Sequence, residues 1–262
     1  MTPKGSVLGI GFFKGSVEDA CLEIEEDGGL LVAPSGPGLA GDLIDCPIYR
    51  KALKEADLVL ADSGLLCLWA KYFSKSFIRR ISGLFFLKNL LDRKNWLGDK
   101  TLWIMPTANE AEVSIQWLKD RFPEAPENRE LYLAPIYPKA GKISDDALLE
   151  KIEKSKPKYV FIQLGGGTQE RLGLFLKQKL SFKPAIICTG AALAFLSGQQ
   201  AKIPMWADHL FIGWFLRCIH QPKTFIPRYL KAFKLIYLLF KYGNNHPVPD
   251  IGDATDVDSS TK

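Results

Sequence analysis

Apolar residues in this chain gather in short runs, each followed by a longer stretch with helical spacing. The runs are Leu30 to Ala33, Leu58 to Ala61, Leu102 to Met105, Tyr159 to Leu164 and Ala185 to Thr189. Runs this short and this continuously apolar fit strands covered on both faces, and their alternation with helices predicts an α/β fold around a parallel sheet. Glu110 to Arg121 and Asp145 to Lys154 are spaced as amphipathic helices, the second with Ser144 as its expected N-cap. Ligands of such sheets gather beyond the carboxyl ends of the strands. Three segments should therefore converge there: Asp62-Ser-Gly64, Gly165 to Glu170 and Thr189-Gly-Ala-Ala192.

The pattern changes after residue 200, where Trp206, Phe211, Trp214 and Phe215 mix with basic residues. Between Arg228 and Tyr242, at about 100° per residue, Arg228, Lys231, Lys234 and Lys241 fall within about 140° of one another, with Phe233, Ile236, Leu239 and Phe240 largely opposite. Such a helix suits either an anionic bilayer surface or the protein's own core, its basic face then in water. The expected organisation is an α/β domain over residues 1–200, a basic, aromatic and helical C-terminal element over 201–243, and a disordered acidic tail over 244–262.

At Tyr159-Val-Phe-Ile-Gln-Leu-Gly-Gly-Gly-Thr-Gln-Glu170 a strand-like run breaks into three glycines and then a helix opening. Gly165, Gly166 and Gly167 let a ligand approach the main chain, and the following helix end offers N–H groups to a phosphate. The segment is neither a P-loop nor a Gly-x-Gly-x-x-Gly fingerprint, and a plain strand-to-helix turn reads equally well. Gln169 could bond a base, ribose or phosphate and Glu170 a cation, or both could be solvated first-turn residues. Asp62 could act as a general base or cap the helix that follows it. Arg79, Arg80, Lys202, Arg217, Lys223 and Arg228 could meet a diphosphate or stand in solvent.

Composition narrows the function classes. With 262 residues, 47% of them hydrophobic and 24% charged, the chain has enough apolar mass for a substantial core. Its five cysteines, Cys21, Cys46, Cys67, Cys188 and Cys218, form no Cys-x-x-Cys pair and read as reduced core thiols of a cytosolic protein. The amino terminus has too short an apolar stretch for a signal peptide. The three histidines, at 209, 220 and 246, lack ligand spacing, so neither a zinc site nor a serine-type triad is expected. The net charge of +5 is concentrated: Lys202 to Lys241 holds seven basic residues against Asp208 alone, a local +6. Those bases accompany an apolar face and no nucleic-acid-binding motif, so no nucleic-acid partner is expected.

Taken in order, these pieces resemble the WecG/TagA/CpsF glycosyltransferase family over roughly residues 7 to 230. Val7-Leu-Gly-Ile10 resembles its opening motif. Asp45 to Gly64 resembles the stretch ending in Pro-Asp-Gly, and Arg80-Ile-Ser-Gly83 the Arg-Val-x-Gly motif. Ser155 to Glu170 resembles the stretch ending in Gly-x-Pro-x-Gln-Glu. Lys202-Ile-Pro-x-Trp206, with Trp214, Arg217, Gln221 and Pro222, resembles the basic C-terminal element. The resemblance implies a Rossmann-like enzyme of bacterial cell-surface polysaccharide synthesis, peripheral on the cytoplasmic face of the membrane. It would be a metal-independent, inverting hexosyltransferase, with no cofactor, that moves an N-acetylmannosamine-type sugar from a UDP-sugar to a polyprenyl-diphosphate-linked acceptor. It implies Asp62 as catalytic base with Arg80 beside it, and donor contacts at Gly165, Gly166, Gly167, Thr168, Gln169, Glu170, Gly190 and Arg217. A homo-oligomer is left open.

The chain departs from the family pattern at several positions. The family's Thr-Ala-Asn-Pro aligns with Pro34-Ser-Gly-Pro37, so its asparagine becomes Gly36, and family aspartates fall on Phe85 and Ala194. Gly167 stands for the proline, and Gly213-Trp214 for Glu-Trp. The departures fit a divergent branch with an altered donor or acceptor. They also fit a catalytically impaired nucleotide-binding or scaffold subunit of a polysaccharide assembly complex.

Overall fold

A computed structural model describes residues 4–74, 78–124, 129–199, 219 and 222–248. After an antiparallel hairpin of β1 (Lys4–Val7) and β2 (Ile10–Phe13), helix α1 (Val17–Asp27) leads to β3 (Gly29–Val32). Three short helices follow, α2 (Gly36–Ala40), α3 (Asp42–Asp45) and α4 (Pro47–Glu55), then β4 (Leu58–Val59), α5 (Gly64–Tyr72) and α6 (Gly83–Asp92). The remainder runs β5 (Thr101–Met105), α7 (Ala108–Arg121), β6 (Arg129–Leu133), α8 (Asp146–Ser155), β7 (Tyr159–Ile162), α9 (Thr168–Lys179), β8 (Ala185–Cys188), α10 (Ala192–Leu196) and α11 (Pro222–Tyr242).

Strands β3 to β8 form one sheet in the order β4-β3-β8-β7-β5-β6, with every described pairing parallel. Alternation along each strand sends side chains to two separate cores, the expected consequence of a pleat covered on both sides. Leu30, Val32, Leu102, Ile104, Val160, Ile162 and Ile186 join the core under α4, α8 and α9. Leu31, Trp103, Phe161 and Ile187 join the core under α1, α6, α7 and α10. The α/β reading of the sequence therefore holds, including the five apolar runs. Strand β6 has no comparable signal, because its residues are only partly buried at the sheet edge.

Local chemistry fixes where the helices start. Ser35, Ser63, Ser82 and Thr107, each just before a helix that follows the sheet's carboxyl edge, accept from a backbone N–H in the first turn. Two cap expectations are corrected. Asp145, not Ser144, caps α8, accepting from Leu148 N at 2.9 Å, while Ser144 bonds Asp146 instead. Ser63, not Asp62, caps α5, which leaves the Asp62 carboxylate to reach elsewhere.

Helix α11 packs one face on the protein's own core and leaves further apolar residues exposed. Leu235, Leu238 and Leu239 are buried in the core shared with α2 and α5, whereas Phe233, Ile236, Tyr237 and Phe240 remain exposed. The side chains of Arg228 and Lys231 lie outside the described residues. Beyond the helix, Gly243 and Asn244 accept from Leu8 N and Gly9 N at 2.9 and 3.0 Å, so the start of the expected disordered tail is pinned to the β1–β2 turn. The rest of that tail, from residue 249, lies outside the described residues, as does 200–218. Among the described residues no helix is long and apolar enough to cross a membrane.

Candidate active site at the carboxyl edge of the sheet

The turns that follow β3, β4, β7 and β8 all leave the same edge of the parallel sheet; hydrogen bonds link those after β7 and β8, and close packing brings the one after β4 against them. Asp62, just past β4, accepts at Oδ1 from Gly83 N at 3.3 Å, and its carbonyl accepts from Arg80 Nε at 3.0 Å. Asp62 and Arg80 are thus held at one turn. Arg79 is exposed. Gly83 lies against the next turn: a Cβ there would stand 3.1 Å from the Thr189 carbonyl oxygen. Thr189 Oγ1 accepts from Gln163 Nε2 at 3.2 Å, and Gly190 N donates to Gln169 Oε1 at 2.7 Å. Gln169 Nε2 in turn donates to Glu170 Oε1 at 3.1 Å, and Gly167 N donates to Glu170 Oε2 at 2.7 Å. The chain of contacts runs from Asp62 to the glycine loop.

Gln169 and Glu170 are therefore buried, at 3% and 1% exposure, rather than solvated on the first turn. Glu170 closes the amino end of α9 by a carboxylate-to-backbone bond, as the third residue of a capping box does. Burial, opposed by its hydrogen bonds and reinforced by the Asp42 charge, pushes the Glu170 carboxyl up to about 7. Arg171, equally buried, donates to three carbonyls: Gly167 at 2.9 Å, Gly141 at 2.9 Å and Pro138 at 2.7 Å. Its guanidinium fastens the loop after β6 to the glycine loop, a role hidden in sequence because an arginine in an amphipathic helix reads as surface.

Gly167 has φ of 86°, open to glycine and far from the value near −65° that proline requires. A Cβ on it would also stand 3.1 Å from Asp42 Oδ2. A proline therefore cannot occupy this turn as it is folded here.

Beside the loop opens a cleft of about 630 Å³. Ser35, Gly38, Gly41, Asp42 and Asp45 from the α2–α3 segment line one wall, Gly165 and Gly166 another, and Leu230 and Lys234 of α11 reach it. Sequence reasoning missed Asp42 and Asp45, although their position past the carboxyl end of β3 was a usable signal. It placed Lys234 with a membrane-facing stripe, whereas its side chain lines this cleft. Asp62, Arg80, Thr189 and Gly190 are not among the lining residues. Thr168 opens α9 just behind the loop, and Lys202 and Arg217 lie outside the described residues. The described cysteines, Cys21, Cys46, Cys67 and Cys188, are all buried thiols, and burial pushes Cys21 and Cys67 up to about 12. Among the described residues no group of three or more His, Cys, Asp or Glu could hold a metal ion.

One edge of a doubly covered parallel sheet thus carries a glycine loop opening a helix, an aspartate and an arginine at a neighbouring turn, and a lysine-bearing helix beside the cleft. The chain belongs to the Glycosyl transferase WecG/TagA/CpsF family, whose model matches residues 6–247. It is similar to an N-acetylglucosaminyldiphosphoundecaprenol N-acetyl-beta-D-mannosaminyltransferase of Bacillus spizizenii, with 22% identity over 217 residues covering 80% of each chain.

Proposed function

We propose that this protein transfers a sugar, of the N-acetylmannosamine type, from a UDP-sugar to a polyprenyl-diphosphate-linked acceptor in bacterial cell-surface polysaccharide synthesis. Family membership supports glycosyl transfer, and the name of the Bacillus relative supports the lipid-linked acceptor class. The observation that carries the mechanism is the run of contacts along one sheet edge from the hydrogen-bonded Asp62–Arg80–Gly83 turn, through the packing of Gly83 against Thr189, to the Gly190–Gln169–Glu170 hydrogen bonds of the glycine loop. Asp62 takes the proton of the acceptor hydroxyl. The oxygen attacks the anomeric carbon from the face opposite the leaving group, and UDP departs with the bonding electron pair, inverting the centre. Charge developing on the diphosphate is met by the amino end of α9, by Arg80, and by Lys234 and Arg217 of the C-terminal element, without a metal. Gly165 to Glu170 and Gly190 shape the donor side. The protein works peripherally on the inner face of the cytoplasmic membrane, where α11 meets the bilayer.

The reading of an impaired, nucleotide-binding scaffold subunit draws on the absence of Asp62 from the lining of the cleft. One experiment separates the two. UDP-sugars are screened for protection against thermal unfolding, and the protecting donor is then supplied with a diphosphate-linked acceptor analogue. Product formation at a rate that depends on Asp62 supports the transferase; protection without product supports the scaffold.

A further inference from the structure

The exposed apolar surface of α11 is continuous with that of a second helix far away in sequence. Helix α5 ends in Tyr72 and Phe73, which are 66% and 62% exposed, with Leu68 one turn earlier also exposed. Across the helix pair, the Phe73 and Phe240 rings meet edge to face at 4.8 Å, and Trp69 meets Phe240 at 6.4 Å. The aromatic surface is bordered by cations laid over rings. Lys71 Nζ stands 5.3 Å from the centre of Tyr72, and Lys241 Nζ stands 5.3 and 5.1 Å from those of Tyr237 and Tyr242. No acidic residue occurs in either helix. An apolar, tyrosine-bearing face with lysines at its border and no carboxylates matches the boundary layer of an anionic bilayer: rings at headgroup level, ammonium groups toward lipid phosphates.

We propose that α5 and α11 together form one bilayer-docking face, with Leu68, Tyr72 and Phe73 as its α5 half. The inference rests on the lipid-linked transfer reading and adds to it a geometric role for α5. That helix starts at Ser63, directly after Asp62, and its nine residues run roughly 13 Å to the aromatic tip. Docking through the tip therefore fixes how far the catalytic aspartate stands from the lipid surface, and so selects an acceptor whose reactive hydroxyl is carried out on a diphosphate and a sugar rather than one lying at headgroup level.

The test uses the full chain and vesicles of phosphatidylglycerol and phosphatidylcholine in equal parts. Tyr72→Ser combined with Phe73→Ser changes two exposed side chains outside the transfer chemistry, so the unfolding midpoint and the rate on a short, water-soluble acceptor analogue should match the wild type. Vesicle partition should fall on the order of tenfold or more as the aromatic area is lost. Tyr72→Trp should keep the partition and, relative to the wild type, add tryptophan emission that shifts to the blue on vesicles. Unchanged partition of the double variant, or added emission from Tyr72→Trp that is insensitive to lipid, overturns the α5 half. So does a concentration-dependent dimer that the double variant breaks while neither protein binds vesicles, for then the face receives a second copy of the chain. If the wild type transfers sugar to the soluble analogue yet never pellets with vesicles, this inference fails and the transfer reading stands. Vesicle binding that depends on Tyr72 and Phe73, without transfer to any acceptor, supports the docking face and overturns the transfer reading.

Discussion

The carboxyl edge of the sheet has a closed half and an open half. Around Asp62, Arg80 and Gly83 the turn is hydrogen-bonded to itself and packed on Thr189, where a single added methyl at Gly83 would press on the carbonyl. Around Gly165, Gly166, Asp42 and Lys234 there is instead a cleft of about 630 Å³, roofed by a helix from the far end of the chain. The first half is pre-organised and can hold a reactive carboxylate in one orientation. The second has the space and the cation for a substituent such as a diphosphate. A transferase needs both properties, because catalytic groups gain from fixed geometry whereas substrates must enter and leave.

The sharpest way to break this division of labour is Asp62→Asn. Asn keeps an oxygen for the Gly83 N–H, so the turn survives, but it cannot take a proton. Turnover should fall by roughly 10²- to 10⁴-fold, the usual contribution of a general base, with protection by the UDP-sugar little changed. Steady-state kinetics with donor and acceptor checks this, and full activity would remove Asp62 from the mechanism.

A second prediction concerns the buried floor between the halves. Burial raises the Glu170 carboxyl in the folded protein from its ordinary value of 4.5 to about 7. The native state therefore holds this proton more tightly than the unfolded chain does. Its contribution to stability is fully present below the unfolded value near 4.5 and is lost as pH rises through about 7, by an amount on the order of 3 kcal/mol. Denaturant unfolding at about pH 5 and about pH 7.5, on either side of most of that loss, should show it, and Glu170→Gln should flatten it. Equal pH slopes for the two proteins would mean that the carboxyl titrates normally.

Lys234 tests the open half. It is exposed and reaches the same cleft as Gly165 and Gly166. A charge-assisted bond to a phosphate contributes about 1.5–3 kcal/mol, so Lys234→Ala should raise the donor KM roughly 10- to 100-fold while leaving the unfolding midpoint within a degree or two. A change confined to vesicle binding would return Lys234 to the membrane stripe where its helical position first placed it.

These residues also show how far sequence reaches. The five strands and the edge where they end were legible because a parallel sheet buried on both sides must be apolar at every position, and that signal is local. Asp62, the glycine loop and Thr189 could be placed at that edge for the same reason, whereas Arg80 follows none of those runs and reaches it through its pairing with Ala61 and Asp62. What was not legible depended on contacts between distant segments. Nothing near Gln169 tells that Gly190 lies within hydrogen-bond reach, or that Arg171 spans two loops. The periodicity of α11 identified its two faces, but which part would meet α2 and α5 was decided by the core and not by the helix. Asp42 reads as an ordinary acid in a short helical turn until folding carries it to Gly167.

The smallest effect expected is also the most local. Gly167 combines a left-handed φ of 86° with the nearby Asp42 carboxylate, 3.1 Å from where a Cβ would stand. An alanine there pays the left-handed conformational penalty of about 1–2 kcal/mol, and Asp42 must move by a few tenths of an ångström. Gly167→Ala should lower unfolding stability by that amount and shift the donor KM more than kcat, since the displaced Asp42 lines the open cleft while the Asp62 turn lies outside it. Combining Gly167→Ala with Asp42→Ala separates the two causes: relief of the KM effect with persistence of the stability loss assigns the first to crowding at Asp42 and the second to the backbone. If the double variant recovers neither, the glycine is required for the loop conformation alone, and the open half of the edge does not depend on the Asp42 contact.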